Sequence, residues 1–77
     1  MRAQRARNQA LYEACGRPNN AGLGEACRLL SAGANVDFMD AESKTTPLMW
    51  AAVHGNVLVC DLLLKRGADV NKRSAVT

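Results

Sequence analysis

Aromatic side chains are scarce in this sequence, which holds one Trp, one Tyr and one Phe among 77 residues. A core assembled from large rings is excluded, so the interior falls to Leu, Val, Ala and Met, a set that suits closely packed helices. Histidine occurs once, at His54. A single imidazole with no nucleophile and no orienting partner near it makes no acid–base constellation. Ser31, Ser43 and Ser74 stand in turn-like or terminal contexts, without the G-x-S-x-G frame that would activate a serine. The three cysteines, Cys15, Cys27 and Cys60, form no C-x-x-C pair, which argues against a zinc site or a redox dithiol. So sparse and odd a set fits a reducing compartment and buried thiols. The G-x-G of "GLGEAC" follows no strand and is too short a fragment to cradle phosphate. No stretch approaches the roughly 18 consecutive apolar residues of a transmembrane helix. The basic start is not followed by the apolar segment of a secretory signal. The expectation is a chain that is no enzyme, holds no metal or cofactor, and works inside the cell, in cytoplasm or nucleus.

An apolar fraction of 48% argues against disorder, and the length allows one domain. The net charge of +3 is confined to one end. Arg2, Arg5, Arg7 and Arg17 face only Glu13 within residues 1–17, and bases and acids balance over the remainder. Residues 1–8 are therefore expected to be a basic N-terminal extension, solvated and frayed, in preference to a nucleic-acid contact.

The chain repeats itself. "LLSAGANVD" from Leu29 and "LLKRGADVN" from Leu63 are related, with Gly33 and Gly67 34 residues apart. "LYEAC" from Leu11 aligns with "LMWAA" from Leu48 at an offset of 37, the extra residues falling in the loop "GRPNNAG". Each unit predicts a short helix, a Gly/Asn turn, a second helix and an extended piece. Gly33 and Gly67 are placed as left-handed caps of the second helices. Thr46 is placed as an N-cap, with Pro47 at the first helical position. Leu48, Ala51 and Ala52 share one helical face, and Val59, Leu62 and Leu63 share another.

A helix–turn–helix with an extended loop at a period of roughly 33 residues is the ankyrin pattern. "TPLMWAAVHGNVLVCDLLLKRGADVN", residues 45–71, closely resembles the family's T-P-L-H-x-A-A … L-L-x-x-G-A-D-V-N, and residues 11–37 resemble it more loosely. The resemblance implies an all-α ankyrin solenoid of about two helix–turn–helix repeats with β-hairpin-like loops. Its first, capping-like repeat spans 9–37, its second 38–71, and 72–77 start a further hairpin. Met49 stands where the family has histidine, so hydrogen bonds between neighbouring loops are expected to be lost. Asn56 replaces a second histidine and is expected to bond backbone locally. "DAESKTTP" is one residue longer than the usual hairpin, which predicts distortion around Ser43 and Lys44.

Ankyrin proteins hold protein partners on hairpin tips and on the outward face of their first helices. Carried over, that surface comprises Met39, Ala41, Glu42, Lys44 and Thr45 on the loop, and Trp50, Val53 and His54 on the helix. Trp50 is either a binding hot spot or the packing edge against a further unit. The spacing of Leu63 and Asn71 also matches the family's asparagine-hydroxylation site, with Lys72 replacing the usual alanine. "ESKTTPL", "AVHG" and "LLLKRGADVNKR" are similar to the ankyrin repeats of Arf GTPase-activating proteins with coiled-coil and PH domains. That resemblance implies an accessory region of a larger regulatory enzyme.

Stacked repeats generally need at least three units. Two leave an apolar end with three ways to be covered. The chain is a piece of a longer array, or it self-associates through its open ends, or Leu58 and a helical "MRAQRARN" close the gap.

Overall fold

The computed structural model describes residues 2–69. Among them, four α-helices and one 3₁₀ turn follow in order: α1 (Arg2–Cys15), the turn Pro18–Asn20, α2 (Leu23–Ser31), α3 (Pro47–Val53) and α4 (Val57–Lys65). The described residues contain no strand, and the architecture is the all-helical ankyrin solenoid that the repeat predicts. α1 packs on α2 and α3 on α4, while α1 meets α3 and α2 meets α4 across the repeat boundary. The result is two layers, first helices in one and second helices in the other.

Local chemistry sets the element ends. The Thr46 hydroxyl accepts from Met49 N–H at 3.3 Å, and Pro47 follows at the first helical position. Gly33 and Gly67, at φ +102° and +91°, terminate α2 and α4. There Ala34 N–H and Ala68 N–H donate back to Leu29 O and Leu63 O, each at 3.0 Å, the paired bonding of a left-handed helix end. "GRPNNAG" is the predicted loop, and Asn19 and Asn20 occupy the left-handed region within it, where Asn is tolerated better than most residues.

The core is small and aliphatic. Leu11, Ala14, Cys15, Ala26, Ala51, Val59 and Leu63 are completely buried, drawn from all four helices. The alanines keep the helix axes close. Gly22 carries this furthest, since a Cβ there would collide with the carbonyl of Ala14.

The helices depart from the sequence reading at two points. Residues 2–8 are helical and continuous with the first repeat helix, and they are tied down. Gln4 Nε2 donates to Gly33 O at 3.0 Å, and Asn8 Oδ1 accepts from Asn35 N–H at 2.7 Å. These bonds fasten the helix start to the loop after α2, so this stretch is no frayed end. Ala52, assigned to the stacking face with Leu48 and Ala51, is exposed. The side of α3 that meets α1 presents Ala51 and Trp50 instead. Asn71 and the proposed hairpin start at 72–77 lie outside the described residues.

Candidate functional site

The second repeat is locked to the first by one buried asparagine. Asn56, 1% exposed, precedes α4. Its Nδ2 donates to Cys15 O at 2.8 Å and to Arg17 O at 2.7 Å. Its Oδ1 accepts from Asn20 N–H at 3.1 Å. Asn20 reciprocates, its Oδ1 accepting from Leu58 N–H at 3.1 Å and Val59 N–H at 3.3 Å, which caps α4 from the neighbouring repeat. The expectation that Asn56 bonds locally is thus corrected. Its polar atoms reach 36 to 41 residues back along the chain.

A second lock sits at the loop. The hydroxyl oxygens of Tyr12, Ser43 and Thr45 lie 2.7 to 2.8 Å from one another, and with the Ser43 proton given to Asp40 the Tyr12 and Thr45 protons close two of the three sides. This triangle ties the loop to α1 where histidine bonding between loops is absent. Asp40 organises the same turn, accepting from Ser43 N–H at 2.9 Å, Glu42 N–H at 3.2 Å and Ser43 Oγ at 3.1 Å. These bonds hold its carboxyl below the usual Asp range. The distortion expected around Ser43 and Lys44 takes a definite form: Lys44 adopts φ +60°.

Between α1 and this loop runs an open groove of about 560 Å³. Its lining includes Tyr12, Glu13 and Gly16 of the first repeat, with Glu42, Ser43 and Trp50 of the second. Trp50 stacks on Tyr12 at 5.3 Å between ring centroids, with planes 11° apart. It also lies over Gly16, where a Cβ would strike the indole. The His54 ring meets Trp50 edge to face at 4.4 Å. His54 Nδ1 lies 2.9 Å from Trp50 O and must donate there, because a carbonyl oxygen only accepts. A second depression of about 490 Å³ adjoins the first through the shared residues Gln9, Asp40 and Glu42, and Met39 and Arg5 line it.

The residues singled out from sequence therefore divide. Glu42 and Trp50 face the main groove, and Met39 and Glu42 line the second. Thr45 is half-buried and anchors the loop through Tyr12, while Lys44 is exposed. His54 braces Trp50 from outside the groove lining. Val53 is 72% exposed, as is Val57, with Leu58 at 56% and Leu64 at 44%. These four belong to the helices of the second repeat. Trp50 packs on the preceding unit through Tyr12 and Gly16.

Sequence reasoning missed the α1 side of the groove. The offset of 37 that pairs Leu11 with Leu48 also pairs Glu13 with Trp50, so the equivalent outward position was available in the first repeat. The Asn20–Asn56 clamp left no sequence signal beyond two asparagines in loops.

The three thiols occupy different settings. Cys15 is fully buried, and burial, with Cys60 nearby adding to it, pushes its pKa up to about 12. Burial also raises that of Cys60. Cys27 is exposed, with Arg66 Nη2 at 3.7 Å from its sulfur.

The chain is similar to regions of much longer proteins. It is 47% identical over 47 residues to the human Arf-GAP with coiled-coil, ANK repeat and PH domain-containing protein 3, covering 60% of this chain and 6% of that protein. It is 39% identical over 64 residues to human protein 2 of the same name, covering 82% of this chain and 8% of that protein. Palmitoyltransferase AKR1 of Kluyveromyces lactis matches at 51% over 43 residues, 56% of this chain and 6% of that protein. The chain thus spans under a tenth of the length of these relatives. Residues 2–74 match the family model described as ankyrin repeats (3 copies), and with the stacked helix pairs above this places the chain in the ankyrin-repeat family.

Proposed function

We infer that this chain is a protein-interaction module, as ankyrin repeats in general are. We propose that this chain binds a protein partner along the groove between α1 and the loop 40–45, with the outward face of α3 and the loop residues Met39 and Glu42 contributing. The observation that carries the reading is the groove itself. Two rings, a structured loop and a hydroxyl triangle form a concave surface without filling it. Preorganisation of this kind lowers the entropic cost of binding. Lys44, Val53 and His54 flank the groove as a rim.

The test compares partner capture by the unmodified chain, by Met39→Asp with Glu42→Lys, and by Arg28→Glu on the exposed side of α2. The groove variant is expected to lose the captured protein and the α2 variant to keep it. Loss by the α2 variant alone would overturn the assignment.

A second reading concerns context. The relatives combine their ankyrin repeats with other domains, as their names state, and this chain covers only a small part of them. In that setting the module is an accessory region of a larger regulatory enzyme inside the cell. The exposed Val57, Leu58 and Leu64 then meet further repeats, and in the isolated chain they meet a second copy. Sedimentation of the isolated chain at rising concentration separates a monomer from a self-associating species.

A further inference from the structure

The charge of the groove opposes the charge of the chain. A sequence with net charge +3 places three of its seven carboxylates, Glu13, Asp40 and Glu42, in the lining of one groove. The one basic residue of that lining, Arg17, is spoken for, with Nη1 3.2 Å from Glu25 Oε2. Glu13 and Glu42 have no ion-pair partner among the described residues. The same lining carries the stacked rings of Tyr12 and Trp50. The Trp50 indole N–H, above Gly16, donates to no acceptor among the described residues.

We propose, building on the groove reading above, that the groove takes an extended peptide segment presenting an arginine side chain. The planar guanidinium pairs with the carboxylates of Glu13 and Glu42, where its fixed fork of donors suits carboxylate oxygens. The aliphatic stem lies on the Tyr12 and Trp50 rings. The indole N–H donates to a carbonyl of the peptide backbone. Asp40 is committed to its own turn through Ser43 and Glu42, so it contributes field more than contact. Because the whole chain is cationic, long-range attraction does not account for capture of a cation, and the local arrangement must supply it.

Trp50 is the sole tryptophan, so its emission reports directly on the groove. The 77-residue chain is titrated with three capped octapeptides, alternating glycine with arginine, lysine or glutamate. The arginine peptide is expected to give a saturable one-site change, with a Kd at least tenfold below that of the glutamate peptide and also below that of the lysine peptide. Glu13→Gln with Glu42→Gln is expected to weaken it at least tenfold while the urea midpoint holds. Asp61→Asn on α4 is expected to leave it unchanged. Equal Kd values for arginine and glutamate peptides, or an unaltered Kd in the Glu13/Glu42 variant, would overturn the cationic assignment while leaving the groove as a peptide site. If no peptide moves the emission of Trp50, the groove reading falls together with the cationic one.

Discussion

Replacing Asn56 by alanine probes the joint between the repeats. The side chain makes three hydrogen bonds to the first repeat, at 2.8, 2.7 and 3.1 Å, and it is 1% exposed. Each such bond contributes about 1 kcal/mol net, and the groups left behind lose their partners. The loss is therefore about 3 kcal/mol. A chain of this length has a total stability of roughly 4–12 kcal/mol on per-residue scaling, so the loss is a quarter of it or more. With a urea slope of about 1 kcal/mol per M, the midpoint falls by about 3 M, read by circular dichroism and by Trp50 emission. Asn56→Asp sharpens the test. It keeps the acceptor for Asn20 N–H but sets a carboxylate against two carbonyl oxygens, which raises its folded pKa. A raised folded pKa means stability is lost as pH rises, so this variant is more stable at pH 4 than at pH 7 relative to the unmodified chain. A loss below 1 kcal/mol for Asn56→Ala, or no pH dependence for Asn56→Asp, would refute the clamp.

Trp50→Ala is expected to cost about 2 kcal/mol, because the indole is half-buried on Tyr12 and Gly16, and thermal unfolding followed by circular dichroism checks it. Gly16→Ala is expected to destabilise by about 1–3 kcal/mol by displacing the ring, and to cost less when Trp50 is already alanine, which a double-mutant cycle measures. Lys44→Gly is expected to stabilise by up to about 1 kcal/mol in urea melts, because it relieves a side chain at φ +60°. Cys15, with its pKa pushed up to about 12, stays protonated and buried, so at pH 8 a thiol reagent labels Cys27 and spares Cys15 until the chain unfolds. The same shift makes the Cys15 contribution to stability complete below pH 9 and lost between pH 9 and about 12, where the unfolded thiol ionises and the folded one does not.

The repeat and its local signals could be read from the sequence. Thr46 and Pro47 announce a helix start within four residues, and Gly33 and Gly67 announce helix ends, because capping acts within a single turn. What could not be read was the joint between units. Asn56 looks like any loop asparagine, and only the stacked repeats bring Cys15 O and Arg17 O within its reach. Residues 2–8 carry helix formers in Ala, Arg and Gln, yet they precede the aligned part of the repeat. Their place in α1 comes from Gln4 and Asn8 bonding the loop after α2. Trp50 stands out in the sequence as the lone tryptophan, but its neighbours Tyr12 and Gly16 lie in the other repeat, beyond the range of helical periodicity. The outward face of α3 followed from the family pattern, whereas the acidic α1 wall at Glu13 needed the groove to be seen whole.

Binding is proposed along α1 and the loop 40–45. Chemical-shift mapping of the ¹⁵N-labelled chain with a bound partner tests it most directly, since the single Trp50 indole N–H gives one isolated signal. This signal is expected to move together with the amides of Tyr12, Glu13, Glu42 and Ser43. Shifts confined to α2 and α4, with the Trp50 indole unmoved, would contradict it.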